Sequence, residues 1–156
     1  METPTLNAPD DRQNVVDFIH ELCPWQIFFT GTFEGEFTEA ATQRGFERFM
    51  TKSFPGVSYF YVIESNPSRA GHHVHALMHS GETIWRNEMN QAWAKRFGFA
   101  KVEKIRSHDD VESYCTKHVM TYLAKGGGWW NVQINNKDAW QESRQTARGF
   151  QPTVTY

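Results

Sequence analysis

Two adjacent runs of residues constrain the fold more than anything else in this chain: 57–64 (VSYFYVIE) and 72–79 (HHVHALMH). The first is dense in aromatic and β-branched side chains, and the second alternates apolar with polar positions. Both are strand patterns. Residues 65–71 (SNPSRAG) join them with a proline and a glycine. That link is too short for a crossover helix, so the two strands pair as an antiparallel hairpin.

Further elements follow from periodicity and punctuation. Residues 1–10 read as a loose tail. Asp11 caps a helix over 12–22, with Val15, Val16, Phe18, Ile19 and Leu22 as its apolar face and Pro24 as its stop. Residues 25–33 (WQIFFTGTF) form a strand. Thr38 caps a helix over 39–52, in which Phe46, Phe49 and Met50 recur at helical spacing. A helix over 82–97 sets Ile84, Trp85, Met89 and Trp93 on one side and stops at Gly98. Residues 99–106 (FAKVEKIR) form a strand. Ser107 or Asp109 caps a helix over 110–125, ended by three glycines, and 129–134 (WWNVQI) is a last strand. The order predicts an α+β fold, a central antiparallel sheet of about five strands flanked by helices. One domain spans 11–140, and 141–156 is a tail.

Composition narrows the class. At 156 residues the chain can bury one real core. The net charge of −2 disfavours a protein that coats long nucleic acid, though not one with a short local groove. Cys23 and Cys115 make no disulfide framework and are expected as thiols in a reducing cytoplasm. No run of eighteen apolar residues predicts a membrane span, and the polar start does not resemble a signal peptide.

The histidine strand carries the first chemical signal. Side chains alternate along a strand, so His73 and His75 share one face, with Cα atoms about 7 Å apart. Two imidazoles so placed converge on one divalent ion. Glu64 ends the preceding strand, and the short link brings it back beside them as a third ligand. This donor set suits Mg²⁺ or Mn²⁺ and also takes Zn²⁺ or Co²⁺. His79 lies on the same face at the far end, where solvent or a ligand is expected to meet it. His72 points the other way.

The second signal is Tyr114-Cys115-Thr116-Lys117. On a helix, positions i and i+3 reach the same space. A phenol with an ordinary pKa near 10 needs a neighbouring cation or a metal-bound phosphate to act as a nucleophile. Lys117 supplies one. Tyr122 and Lys125 repeat the spacing two turns later, so either tyrosine is a candidate.

Taken together these motifs resemble the HUH endonucleases, in particular the small initiators of rolling-circle replication in plasmids and viruses. Residues 28–33 (FFTGTF) look like the family's first-strand motif. His73-Val74-His75 looks like its histidine–hydrophobic–histidine motif. Residues 111–117 (VESYCTK) look like its nucleophile motif. The likeness spans roughly 25–134. It implies a ferredoxin-like core, a metal (Mn²⁺ or Mg²⁺) held by Glu64, His73 and His75, and Tyr114 as nucleophile beside Lys117. Tyr122 with Lys125 is the alternative pair. The reaction implied is nicking and joining of single-stranded DNA through a 5′-phosphotyrosine.

The expected partner is a single strand or an origin hairpin, with a host helicase as a further candidate, in the host cytoplasm. Lys101, Lys104 and Arg106 are the candidate phosphate contacts and Trp129 a candidate stacking residue. Phe28, Trp129 and Trp130 serve equally well as core. Rival readings are a single-tyrosine transposase or relaxase, a metal-dependent phosphodiesterase on small substrates, and a non-catalytic nucleic-acid-binding domain.

Overall fold

The computed structural model describes residues 9–120 and 129–134. Its elements in chain order are α1 (Pro9–Leu22), β1 (Ile27–Gly31), α2 (Glu39–Ser53), β2 (Ser58–Ser65), β3 (His72–His79), α3 (Arg86–Arg96), β4 (Ala100–Lys104), α4 (His108–Tyr114) and β5 (Trp129–Gln133). A single π-helical turn, Cys115–Met120, follows α4 directly. The five strands form one sheet in the order β4-β1-β3-β2-β5, and every neighbouring pair is antiparallel. The α+β fold is therefore as the residue pattern predicts.

Helices cover both faces of the sheet. On one face α1 and α4 pack Val15, Ile19, Leu22, Val111 and Tyr114 against Phe60, Val62, Leu77 and Val132. On the other, α2 and α3 bring Phe46, Phe49, Met89 and Trp93 onto Phe29, Tyr61, Ile63, Val74 and Ala76. Strand β2 is buried from Ser58 to Ile63, which explains its near-continuous apolar sequence. Gly31 ends β1 where the Trp93 indole crosses it. A Cβ there would lie 2.6 Å from that ring, so only glycine allows the approach.

Several boundaries differ from expectation. Helix α1 begins at Pro9, two residues before the predicted Asp11 cap. Proline suits a first helical position, where no amide partner is needed. Helix α3 begins at Arg86 rather than at residue 82. Trp85 becomes its N-cap and is 64% exposed, so it leaves the predicted apolar face, whereas Met89 and Trp93 are buried. Of the predicted helix over 110–125, the described part is α-helix to Tyr114, starting two residues early at His108, and then π-helix over Cys115–Met120. Its first turn carries Asp109 and Asp110, which favour a helix N-terminus. Asp110 Oδ2 accepts from the Arg106 amide at 2.9 Å. Thr38 caps α2 as expected, its hydroxyl accepting from the Ala41 amide at 3.1 Å. Residues 1–8, 121–128 and 135–156 lie outside the described residues. With them go Tyr122, Lys125, the glycine run and the C-terminal tail.

Candidate metal centre and adjoining tyrosine

The β2–β3 hairpin alone assembles the three expected ligands. Its register pairs Glu64 with His73 and Val62 with His75. Glu64, His73 and His75 therefore lie together on the α4 side of the sheet. His73 Nε2 and His75 Nε2 are 3.0 Å apart. Glu64 Oε2 stands 3.2 Å from the first and 3.1 Å from the second. These atoms form one cluster able to hold a metal ion.

Neighbouring side chains fix which nitrogen faces inward. His73 Nδ1 meets Asn66 Oδ1 at 2.9 Å, and His75 Nδ1 meets Thr30 Oγ1 at 3.1 Å. An amide oxygen only accepts, so His73 Nδ1 carries the proton and its Nε2 presents a lone pair. At His75 the Thr30 hydroxyl serves either as acceptor or as donor, so this contact orients the ring and is compatible with both tautomers. Two ring nitrogens and a carboxylate oxygen at about 3 Å are held together by a proton or a cation among them. Asn66 is held in turn by the loop. Its side-chain amide donates to the Ala70 carbonyl at 3.1 Å, and its backbone N–H donates to Gly71 at 3.0 Å. Gly71 makes that return possible with φ of +98°.

The spacing tests the fit of an ion. Adjacent ligands of an octahedral site with bonds of about 2.1 Å are separated by roughly 3.0 Å. Those of a tetrahedral zinc site with similar bonds are separated by roughly 3.4 Å. The observed 3.0–3.2 Å separations lie between these two values, so the cluster accommodates either geometry. Two imidazoles and one carboxylate oxygen take Zn²⁺ or Co²⁺ as well as Mn²⁺ or Mg²⁺.

Burial pushes the Glu64 carboxyl up, but contacts from His118, His73 and His75 outweigh it and hold the group well below the usual carboxylate range. Burial holds His75 below its ordinary value, with Glu64 opposing. An ionised carboxylate and a neutral imidazole are the forms that bind metal.

Helix α4 and its π turn roof this centre. Tyr114 stacks on Phe28 with ring centres 5.1 Å apart, and its ring lies 5.3 Å from His118 and 6.5 Å from His75. Its hydroxyl is the one buried side-chain polar atom among the described residues with no hydrogen-bond partner. Burial, with Cys115 and Glu64 nearby, pushes the phenol well above 10. Tyr114, Lys117, His118, Phe28 and Thr30 share the wall of a cleft of about 220 Å³. The expected meeting of Tyr114 and Lys117 is thus observed, with Lys117 exposed.

His118, Thr30 and Asn66 were not legible as site residues. His118 stacks on His75 at 3.8 Å, and its Nδ1 approaches Glu64 Oε1 to 3.7 Å. Its position four residues after Tyr114 was the available signal.

The expected phosphate contacts separate. Lys101 pairs across from Thr30 and shares the site's face, where it meets Glu103 at 3.3 Å. Lys104 pairs across from Ile27 and points to the opposite face, into a groove beside Trp85 and Arg86. Residues three apart on a strand face opposite ways, so the two lysines cannot serve one track along that sheet face. Arg106 lies beyond the strand and is exposed. Trp129 opens β5, its backbone paired with Ile63. Trp130 packs on Phe18 and Phe60 as core. His79 Nδ1 meets the Pro24 carbonyl at 3.0 Å, and His72 Nδ1 meets that of Phe37 at 2.8 Å.

No family model, curated protein or solved structure matches this chain. Among the described residues no helix is long and apolar enough to cross a membrane.

Proposed function

We propose that this chain is a divalent-metal-dependent nuclease that nicks and rejoins single-stranded DNA through Tyr114, in the manner of the HUH replication initiators its motifs resemble. One observation carries the reading. Three atoms able to ligate a metal converge within 3.0–3.2 Å beneath a buried phenol that has no partner of its own. Glu64, His73 and His75 would hold Mn²⁺ or Mg²⁺, which supplies Lewis-acid polarisation of a phosphate oxygen. Thr30 and Asn66 keep both imidazoles turned toward that position. Tyr114 Oη forms the new bond to phosphorus as the bond to the 3′-oxygen breaks, and the phenolic proton leaves with the 3′-hydroxyl. One phosphodiester is exchanged for another, so the step reverses. Lys117 in the same cleft offsets charge on the phosphate.

The test is a denaturing gel with labelled single-stranded oligonucleotides of pooled sequence and Mn²⁺. A DNA-shifted protein band, lost with EDTA and with Tyr114→Phe, supports the proposal. A second reading is favoured by the buried, neutral phenol: a phosphodiesterase in which water attacks and Tyr114 only packs. Under that reading Tyr114→Phe keeps activity and no adduct forms.

A further inference from the structure

The two oxygens of Glu64 face different partners. Oε2 closes the triangle with His73 and His75, at 3.2 and 3.1 Å. Oε1 faces His118, whose Nδ1 stands 3.7 Å away. The His118 ring is held in place from two sides. It lies over His75 with centres 3.8 Å apart and planes 27° from parallel, and the Tyr114 ring backs it at 5.3 Å. It reaches this position because the chain widens into a π turn directly after Tyr114. Single π turns cost helix stability and gather at functional sites.

A carboxylate binds a cation through one oxygen or through both, and the two modes differ by one coordination position. We infer that His118 is a positioning residue: it holds Oε1 of Glu64 away from the cation, so that the carboxylate binds through Oε2 alone and one further position stays open to water or a phosphate oxygen. The inference rests on the triad being a cation site. On a six-coordinate ion three protein donors leave three open positions, and a chelating carboxylate leaves two.

The experiment uses the full chain loaded with stoichiometric Mn²⁺. Inner-sphere water-proton relaxivity per bound ion is measured for wild type, His118→Ala, His118→Phe and His118→Gln, with affinity from calorimetry. His118→Ala is expected to lose about one third of the inner-sphere relaxivity, with Mn²⁺ binding as tight as wild type or tighter. His118→Phe keeps a ring over His75 but has no N–H, and is expected to lose the same third. His118→Gln keeps an N–H donor and is expected to stay near wild type. Unchanged relaxivity in the Ala and Phe variants overturns the inference. A rise by about a half, with binding tenfold weaker or worse, also overturns it, because His118 would then be a fourth ligand whose loss opens a third position to water. Failure of the wild type to bind Mn²⁺ overturns instead the metal-centre reading beneath it.

Discussion

Removing the Tyr114 hydroxyl should make the protein more stable while abolishing the proposed chemistry. The hydroxyl is buried and lacks a hydrogen-bond partner. A buried polar group in that state costs about 1–3 kcal/mol. Phenylalanine keeps the ring that stacks on Phe28 at 5.1 Å and leaves no larger void. Tyr114→Phe is therefore expected to gain about 1–3 kcal/mol, or roughly 3–9 °C in Tm for a chain of this size.

The gain should grow in alkali. Native Tyr114 keeps its proton well above 10 because burial disfavours the phenolate, whereas an unfolded phenol ionises near 10. The unfolded state loses the proton first, so stability falls as pH rises past 10, by up to about 1.4 kcal/mol per unit for this group. The variant lacks that share of the slope. Tyr59, also pushed up by burial and by Glu47, keeps its own share in both proteins. The assay is urea unfolding of both proteins without metal at pH 8 and at pH 10.5. A Tyr114→Phe protein less stable than wild type by 1 kcal/mol at pH 8 would refute the reasoning, since the hydroxyl would then have a partner in solution.

Asn66→Ala removes the acceptor that fixes the His73 tautomer. Mn²⁺ affinity measured by calorimetry is expected to fall 10–100-fold, with little change in the metal-free melt. Gly31→Ala drives a methyl to 2.6 Å from the buried Trp93 indole. Urea unfolding should show a loss of about 1–3 kcal/mol. Cys115 is buried, and burial with Glu112 nearby pushes its thiol up to about 12. At pH 8 a thiol reagent should leave it intact in the native protein and modify it only after denaturation, as read by mass spectrometry.

The hairpin was legible because its signals are local. Alternation set the faces of His73 and His75, and a seven-residue link set the return of Glu64. The tyrosine helix was legible in position but not in shape. A π turn has no residue signature, so the placement of His118 depends on the packing of α4 over the sheet. The sheet order β4-β1-β3-β2-β5 brings Thr30 beside His75 from 45 residues away, and although Thr30 lies in the 28–33 run, nothing in that run names His75 as its partner. The opposite faces of Lys101 and Lys104 were available from strand parity. The exposure of Trp85 turned on where α3 starts, and Glu82 offered a plausible earlier start that the fold does not use.

Glu64, His73 and His75 lie within twelve residues of one another along the chain, and this has a consequence for folding kinetics. Closing so short a loop costs little chain entropy, so the donor set is complete once β2 pairs with β3, before the distant strands and covering helices dock. A cation that grips the paired hairpin lowers the free energy of whatever nucleus contains it. Refolding in Mn²⁺ is then expected to be faster than without it if that hairpin belongs to the nucleus. If the hairpin forms late, the cation only slows unfolding.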